Sequence, residues 1–259
     1  MGHAKQAQRG ITHLKELISR QTDFSGESGI PFMLSAAKIL LHIPITETER
    51  KEINEYNRNC SEGGRLLCCY LLEQSAWENG EYERIIGVVE TALHMTKVSY
   101  SLITLYYYLS APYAALRLKD VVRAEIYFQK AWKLAEADGF WAPMGETHGC
   151  LQIFLEKKIK HENPASYKQI MQITHQYRNG WRNLICKEIQ SDEKSKKKAA
   201  QESLTGMEYA VAFLAGLGWI NQEIGNYFFI SVRTVKYYMT AVFRKLNIDS
   251  RQKISELLD

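Results

Sequence analysis

Proline and glycine are scarce in this chain, with five and sixteen residues respectively among 259. Long runs in which apolar and polar residues alternate at period two are missing as well. A sandwich or barrel of strands needs such alternation and frequent turn residues, so both absences disfavour an all-β fold and favour helices. Because 46% of the residues are hydrophobic, the chain still has enough apolar material to bury a core.

The usual signatures of secretion, metal binding and catalysis are absent too. Five cysteines are scattered without C-x-x-C spacing, and Cys68 and Cys69 are adjacent, which suits neither a zinc site nor an ordinary disulfide. The amino end, MGHAKQAQRG, has no apolar signal region. The seven histidines form no H-E-x-x-H motif, and no nucleophile elbow is present. We therefore expect free thiols in the reducing cytoplasm, no enzymatic activity, no metal and no cofactor.

The long uncharged stretch at residues 98–116 approaches the length of a bilayer-spanning helix. It contains serines, a threonine, a proline and several tyrosines, which a lipid-facing helix would leave in hydrocarbon. A buried helix in a helical stack accounts for this composition better, so we expect no membrane association.

Up to about residue 190 the hydrophobic pattern predicts one helix after another. The predicted helices span residues 11–20, 32–43, 46–59, 65–78, 82–96, 99–118, 121–138, 145–160, 164–177 and 180–189. The third of them starts with a Thr-x-x-Glu capping signature formed by Thr46 and Glu49.

Two of the helix pairs are similar to each other at a constant offset of 39 residues. GEYERIIGVVETAL, from Gly80, aligns with KDVVRAEIYFQKAW, from Lys119, and places Ala92 on Ala131. Small residues at such positions let neighbouring helices approach closely. This pattern resembles a tetratricopeptide-like repeat with a period longer than the usual length of about 34 residues. The resemblance implies stacked helix pairs with a concave surface for an effector or a protein partner.

Residues 190–203, QSDEKSKKKAAQES, contain no large apolar side chain and are predicted to be a polar linker. This linker divides the chain into a helical-repeat domain at residues 1–189 and a second domain at residues 204–259. The lysine run at 196–198 is interpreted as solvated, with phosphate contact as the alternative.

The last 56 residues predict four short helices, at 206–215, 221–227, 232–246 and 250–258. The first begins with a second capping box, Thr205 with Glu208, and ends at Gly216-Leu217-Gly218. A seven-residue helix, a tight turn and a longer helix capped by Ser231 have the geometry of a helix-turn-helix.

The third of these helices has two chemically different faces. Residues at helical spacing predicted to face the core are Val235, Met239, Val242 and Leu246. Residues predicted on the opposite face are Arg233, Lys236, Tyr237 and Thr240. Between residues 231 and 248 there are four basic residues and no acidic one, and the amino end of the helix offers backbone N–H groups to a phosphate. Such a helix can enter the major groove of DNA. The alternative is an ordinary helical packing module with a solvated basic face.

This segment resembles the LuxR/FixJ-type, GerE-like helix-turn-helix domain of bacterial transcription regulators. The matching elements are LT followed by Glu208, then GWINQEIG, FISVRTVKYYM and FRKLNIDSR. The helical part before it resembles the carboxy-terminal portion of MalT-like regulators, with segments such as AEADGFWAPMGETHG and YRNGWRNL. Those regulators usually carry a Walker A loop, which this chain lacks, so ATP-dependent switching is not expected.

The resemblance implies roles for individual residues. Lys236, Tyr237 and Thr240 would face bases, with Lys236 also near the DNA backbone. Candidates for phosphate contact or for supporting the fold are Asn221, Ser231, Arg233, Thr234, Lys245 and Arg251. The last helix commonly packs against a second copy in this family, so Ile254 and Leu257 are dimer-interface candidates.

The sequence departs from the family pattern at four positions. Gly206 stands where proline is common, and Met207 where arginine is common. Tyr238 occupies a frequent histidine position. Ala212 replaces a large aliphatic residue, with Phe213 next to it.

The sequence therefore predicts an all-α protein in which a tetratricopeptide-like domain precedes a LuxR-type helix-turn-helix. We expect a cytoplasmic regulator of transcription that binds double-stranded DNA as a homodimer and senses an effector or protein partner through its helical repeats. The alternative is an interaction scaffold whose helix-turn-helix has lost its affinity for DNA.

Overall fold

The structure, a computed structural model, describes residues 4–20, 30–40, 45–78, 80–95, 101–147, 151–188 and 203–258. Within these ranges every regular element is a helix and no strand is present. The predicted all-α class is therefore confirmed. None of the helices in these ranges combines the length and the apolar character needed to cross a bilayer.

The described residues of the first half of the chain form seven helices. They are α1 (Ala4–Arg20), α2 (Ile30–Leu40), α3 (Glu47–Asn59), α4 (Glu62–Glu78), α5 (Tyr82–Met95), α6 (Ser101–Arg117) and α7 (Val121–Asp138). Each packs on the next along the chain, most extensively α6 on α7. The capping box predicted at Thr46 and Glu49 is present at the start of α3. The tetratricopeptide-like character of the pairs α4/α5 and α6/α7 stays a prediction.

The region after α7 differs from its sequence-based prediction. It contains α8 (Ala142–Glu146), α9 (Gln152–Phe154), a π-helical turn (Leu155–Ile159), α10 (Lys160–Glu162) and α11 (Pro164–Glu188). The single helix predicted at 145–160 is wrong, because helix α8 ends at Glu146, where the Thr147 hydroxyl bonds the Met144 carbonyl oxygen at 2.8 Å.

The break predicted between residues 177 and 180 is also wrong, since α11 continues through Gly180. A glycine inside a helix costs about 1 kcal/mol relative to alanine, which tertiary packing can offset. Helix α11 packs on both α1 and α8.

Residues 206–258 contain the four helices that the sequence predicted. They are α12 (Gly206–Gly216), α13 (Asn221–Phe228), α14 (Val232–Leu246) and α15 (Gln252–Leu258). Helix α12 is central, because α13, α14 and α15 all pack on it. The predicted capping box of Thr205 and Glu208 begins α12.

One apolar cluster runs from α4 through the helical region into the carboxy-terminal helices, whereas Phe32, Ile53 and Leu71 belong to a second cluster among α2, α3 and α4. In the helical region, the rings of Phe128 and Phe154 stack at 4.6 Å between their centroids. Tyr113 of α6 and Phe213 of α12 then join the two halves, with ring centroids 5.4 Å apart. The predicted polar linker at 190–203 lies outside the described residues apart from Ser203, so the domain boundaries stay a prediction.

Candidate nucleic-acid interface

The turn between α13 and α14 depends on one glycine. A Cβ added to Gly225 would lie 2.8 Å from the Ile230 carbonyl oxygen, so a larger residue would push the two helices apart. The Ile230 backbone N–H donates to the Gly225 carbonyl at 2.9 Å and closes the turn. Phe229 completes it in the left-handed conformation, at φ 55°. These contacts hold α14 against α13 at a short, defined turn.

Ser231 begins α14 as the sequence predicted. Its hydroxyl oxygen accepts a hydrogen bond from the Thr234 backbone N–H at 3.0 Å, and its hydroxyl also bonds the Thr234 hydroxyl at 2.8 Å. Both side chains therefore support the helix start. Since Ser231 is exposed, the positive end of the α14 dipole faces solvent at this point.

Helix α14 buries one face and exposes the other, which confirms the predicted periodicity. The buried side chains are Val235, Met239, Val242 and Leu246. The exposed residues are Arg233, Lys236, Tyr237 and Thr240. Tyr237 is 71% exposed although it is a large aromatic residue. In the described part of the chain, Arg233 and Lys236 form no ion pair, so both charges are available to a partner.

Two predicted residues lie together at the opposite end of the domain and support its fold. Arg251 donates from Nη1 to Asn221 Oδ1 at 2.9 Å and from Nε to the Ala215 carbonyl oxygen at 3.2 Å. Its Nη2 also contacts the Trp219 carbonyl oxygen. The guanidinium thus ties the segment before α15 to the turn between α12 and α13. Of the two roles expected for Arg251 and Asn221, this geometry corresponds to support of the fold.

Lys245 is also engaged within the domain. Its Nζ lies 2.6 Å from Oε2 of Glu208, whose side chain is 9% exposed. Burial alone would raise the pKa of Glu208, but the hydrogen bonds from Lys245 and Thr205 hold that pKa below its ordinary value. The pair connects the last turn of α14 to the first turn of α12.

The two dimer-interface candidates on α15 have different environments. Ile254 is fully buried, and its Cγ2 would lie 3.5 Å from a Cβ on Gly216 of α12. Its side chain therefore belongs to the core of the protomer and has no surface to offer a second copy, which differs from the expectation. Leu257 is half-buried and keeps part of its side chain at the surface.

Two surface residues near this face were not singled out from the sequence. Arg244 is exposed on α14 and makes no side-chain ion pair in the ranges that the structure covers. Phe229 is 86% exposed at the turn before α14. Arg244 is counted among the four basic residues of this segment, but the sequence does not distinguish it from Lys245. The structure does, because Lys245 pairs with Glu208 and Arg244 points to solvent.

The described residues contain no group of three or more histidine, cysteine, aspartate or glutamate side chains arranged to hold a metal ion. The exposed face of α14 offers hydrogen-bond donors, positive charge and the ring of Tyr237. This combination suits nucleic acid, whose phosphates attract arginine and lysine and whose base edges accept hydrogen bonds.

Comparison with protein families agrees with this geometry. Residues 202–258 match the family described as GerE: Bacterial regulatory proteins, luxR family. The carboxy-terminal part is therefore a LuxR-type helix-turn-helix domain, and the match points to a DNA-binding regulator of transcription. Comparisons of the chain with curated proteins and with solved structures found no match.

Proposed function

We propose that this protein is a sequence-specific regulator of transcription in which α14 enters the major groove of DNA. Lys236, Tyr237 and Thr240 contact base edges, and Lys236 also reaches the sugar–phosphate backbone. Arg233 and the amino end of α14 at Ser231 bind phosphate. Arg244 is added to the phosphate contacts because it is exposed on the same helix.

This proposal is supported by the two faces of α14. Its exposed face carries basic and aromatic side chains, and its opposite face is buried in the core. Four apolar side chains fix the rotation of the helix about its own axis. The outward direction of Lys236 and Tyr237 follows from that rotation. A surface positioned so firmly is suited to reading a fixed sequence of base edges.

We further propose that the helical region binds an effector or a protein partner and that the regulator acts in the cytoplasm as a homodimer. Stacked helix pairs such as α4/α5 and α6/α7 offer an extended surface for a ligand. A single small domain makes few contacts with DNA, whereas two copies on adjacent half-sites add their contacts. Because Ile254 is buried, a dimer contact along α15 would use its exposed residues together with Leu257.

Selection from a random pool tests whether the protein reads sequence. The full chain is incubated with duplexes containing 30 random base pairs, and bound duplexes are recovered and sequenced over several rounds. The proposal expects one motif to be enriched, in two copies that reflect a dimer. Loss of bases from that motif in the Tyr237→Ala variant would assign them to α14. An unenriched pool would contradict sequence-specific reading and favour the interaction scaffold.

A further inference from the structure

The first helix of the DNA-binding domain is buried on every side. All eight residues from Glu208 to Ala215 are buried. One side of α12 packs on α13, α14 and α15, whereas another packs on α9 and the π-helical turn of the helical region. A helix that is apolar all round needs such enclosure. In this structure the DNA-binding domain is therefore docked on the helical region.

A buried carboxylate from the helical region, that of Glu156, lies at the start of α12. Glu156 belongs to the π-helical turn, and its side chain is 2% exposed. It accepts hydrogen bonds from Gln152 Nε2 at 3.0 Å and Lys160 Nζ at 2.8 Å, and the Tyr167 hydroxyl also contacts it. Burial and the neighbouring Glu156 raise the pKa of Tyr167, so its hydroxyl keeps the proton that it donates. Three donors thus hold the carboxylate in one orientation.

Gly206, the first residue of α12, fits against this carboxylate because it has no side chain. A Cβ at position 206 would overlap with Glu156 Oε1 and would lie 2.7 Å from Gln152 Nε2. The positive end of the α12 dipole therefore meets a fixed negative charge supplied by another part of the chain. The glycine that departs from the proline common in LuxR-type domains is explained by this contact.

The neighbouring residue of the π-helical turn makes a second contact with the DNA-binding domain. Lys157 Nζ lies 3.9 Å from the centroid of the Tyr227 ring on α13, and it also contacts Glu125 of α7. The cation thus joins a helix of each half, with a cation–π contact on the DNA-binding side. Insertions of π-helix often occur at functional sites, and here the turn directs two successive charged side chains to the same domain.

We propose that Glu156 is a positioning residue: with Gly206 it holds the DNA-binding domain on the helical region and so fixes the direction in which α14 faces. Since Arg233, Lys236 and Tyr237 remain exposed in the docked arrangement, docking orients the reading face without covering it. In a dimer, this orientation sets how two copies of α14 meet two half-sites, and that consequence rests on the proposed function. A ligand on the helical region would act on DNA through this contact.

The docking contact can be tested without DNA. A site for a specific protease is inserted between residues 195 and 196 of the full chain, and the cleaved protein is passed through a size-exclusion column. The two fragments of the otherwise unchanged protein should elute together. Gly206→Ala should separate them, because its Cβ overlaps with Glu156, whereas Gly87→Ala should not, since no atom lies within 4 Å of a Cβ at position 87.

A double variant separates this contact from a folding defect. In the Glu156→Ala background the carboxylate that a Cβ at position 206 would overlap is gone, and Gln152, which has lost its hydrogen bond to Glu156, can turn away from that Cβ. The second substitution should therefore change fragment association much less than it does alone. Circular dichroism should show the same helix content in all these proteins. Equal effects of Gly206→Ala in both backgrounds, or co-elution of its fragments, would overturn the proposed contact.

The consequence for DNA binding is measured as the affinity for two duplexes that carry the motif enriched by the unchanged protein. One duplex contains a single half-site and the other contains the paired site. Gly206→Ala should weaken binding to the paired site by about tenfold or more, because two flexibly attached domains lose their common orientation, and should leave single half-site binding within about twofold. Equal weakening of both, or of neither, would overturn the positioning role alone. If the unchanged protein enriches no motif, the proposed function fails, while fragment co-elution still decides the docking contact.

Discussion

Lys245 Nζ lies 2.6 Å from Glu208 Oε2, and this ion pair ties the last turn of α14 to the beginning of α12. Glu208 also accepts the Thr205 backbone N–H at 2.7 Å, so one carboxylate joins the cap of α12 to the last turn of α14. The pair stabilises the relative position of two helices in the DNA-binding domain. The Lys245 ammonium is therefore paired within the domain, whereas Arg233 and Lys236, nearer the amino end of α14, are exposed.

The Glu208–Lys245 pair predicts a stability that depends on pH. The hydrogen bonds to Glu208 outweigh its burial and keep its folded pKa below the ordinary value of 4.5. Its contribution is therefore complete above pH 4.5 and is lost as the pH falls through the lower folded pKa. Glu208→Gln should reduce stability most at neutral pH, and its difference from the unchanged protein should shrink towards pH 3. Urea unfolding of both proteins from neutral pH to pH 3 measures this difference in the free energy of unfolding.

Glu162→Gln provides the control for this experiment. Glu162 is exposed and faces Lys158 at 3.8 Å, one turn away on the same stretch of helix. Exposed pairs of this kind contribute little. A pH dependence as large in Glu162→Gln as in Glu208→Gln would contradict the role given to the Glu208–Lys245 pair.

Substitution of Arg251 should lower stability, whereas substitution of Arg233 should lower DNA affinity and leave stability unchanged. Arg251→Ala removes the donor to Asn221 Oδ1 and to the buried Trp219 carbonyl, and one of the donors to the Ala215 carbonyl, which the Gly218 N–H still reaches at 3.0 Å. We therefore expect a loss of about 2–4 kcal/mol in the free energy of unfolding. Arg233→Ala removes an exposed side chain and should leave stability unchanged within about 0.5 kcal/mol, while weakening DNA binding. Denaturant unfolding and DNA titration of both variants check this. A stable Arg251→Ala protein would contradict the assignment.

The buried Glu73 of α4 predicts the opposite pH trend in the helical region. Burial raises its pKa to about 8. The stability linked to its protonated form is present below pH 4.5 and is lost as the pH rises towards 8. Glu73→Gln, which stays neutral, should therefore raise the unfolding temperature at pH 8 and change it little near pH 4.5.

The exposed Glu83 of α5 serves as the matched position for that test. Glu83→Gln removes the same charge at the surface, where no burial cost exists. Thermal unfolding is measured for both variants at pH 4.5 and pH 8. The change in unfolding temperature relative to the unchanged protein should depend on pH for Glu73→Gln and should be small at both pH values for Glu83→Gln. A rise of similar size in Glu83→Gln would assign the effect to net charge instead.

Local patterns in the sequence predicted much of the DNA-binding domain. The buried face of α14 follows from apolar residues at helical spacing, such as Val235 and Met239, and the capping box at the start of α12 follows from Thr205 and Glu208, three positions apart. The same spacing predicted the capping box at the start of α3 in the helical region. These features depend on neighbours within one helix. For that reason they can be recognised without knowing how the helices pack.

Contacts between distant parts of the chain could not be predicted in the same way. Gly206 departs from the family pattern, and its reason lies 50 positions earlier, at Glu156. Lys245 and Arg251 look equivalent to Arg233 in a list of basic residues, but each bonds a side chain on another helix, and those partners are distant in sequence. The burial of Ile254 could not be predicted for the same reason, because it results from the approach of α15 to Gly216 of α12.

The central claim is that α14 binds DNA, and fluorescence anisotropy of the full chain on a labelled mixed-sequence duplex tests it most directly. Lys236→Ala is compared with Lys51→Ala, which removes an exposed lysine from α3, at two salt concentrations. We predict binding that falls steeply with salt, weakens by about 1–3 kcal/mol in Lys236→Ala, and is unchanged in Lys51→Ala. Absence of binding at low salt, or equal affinity of the two variants, would contradict the claim.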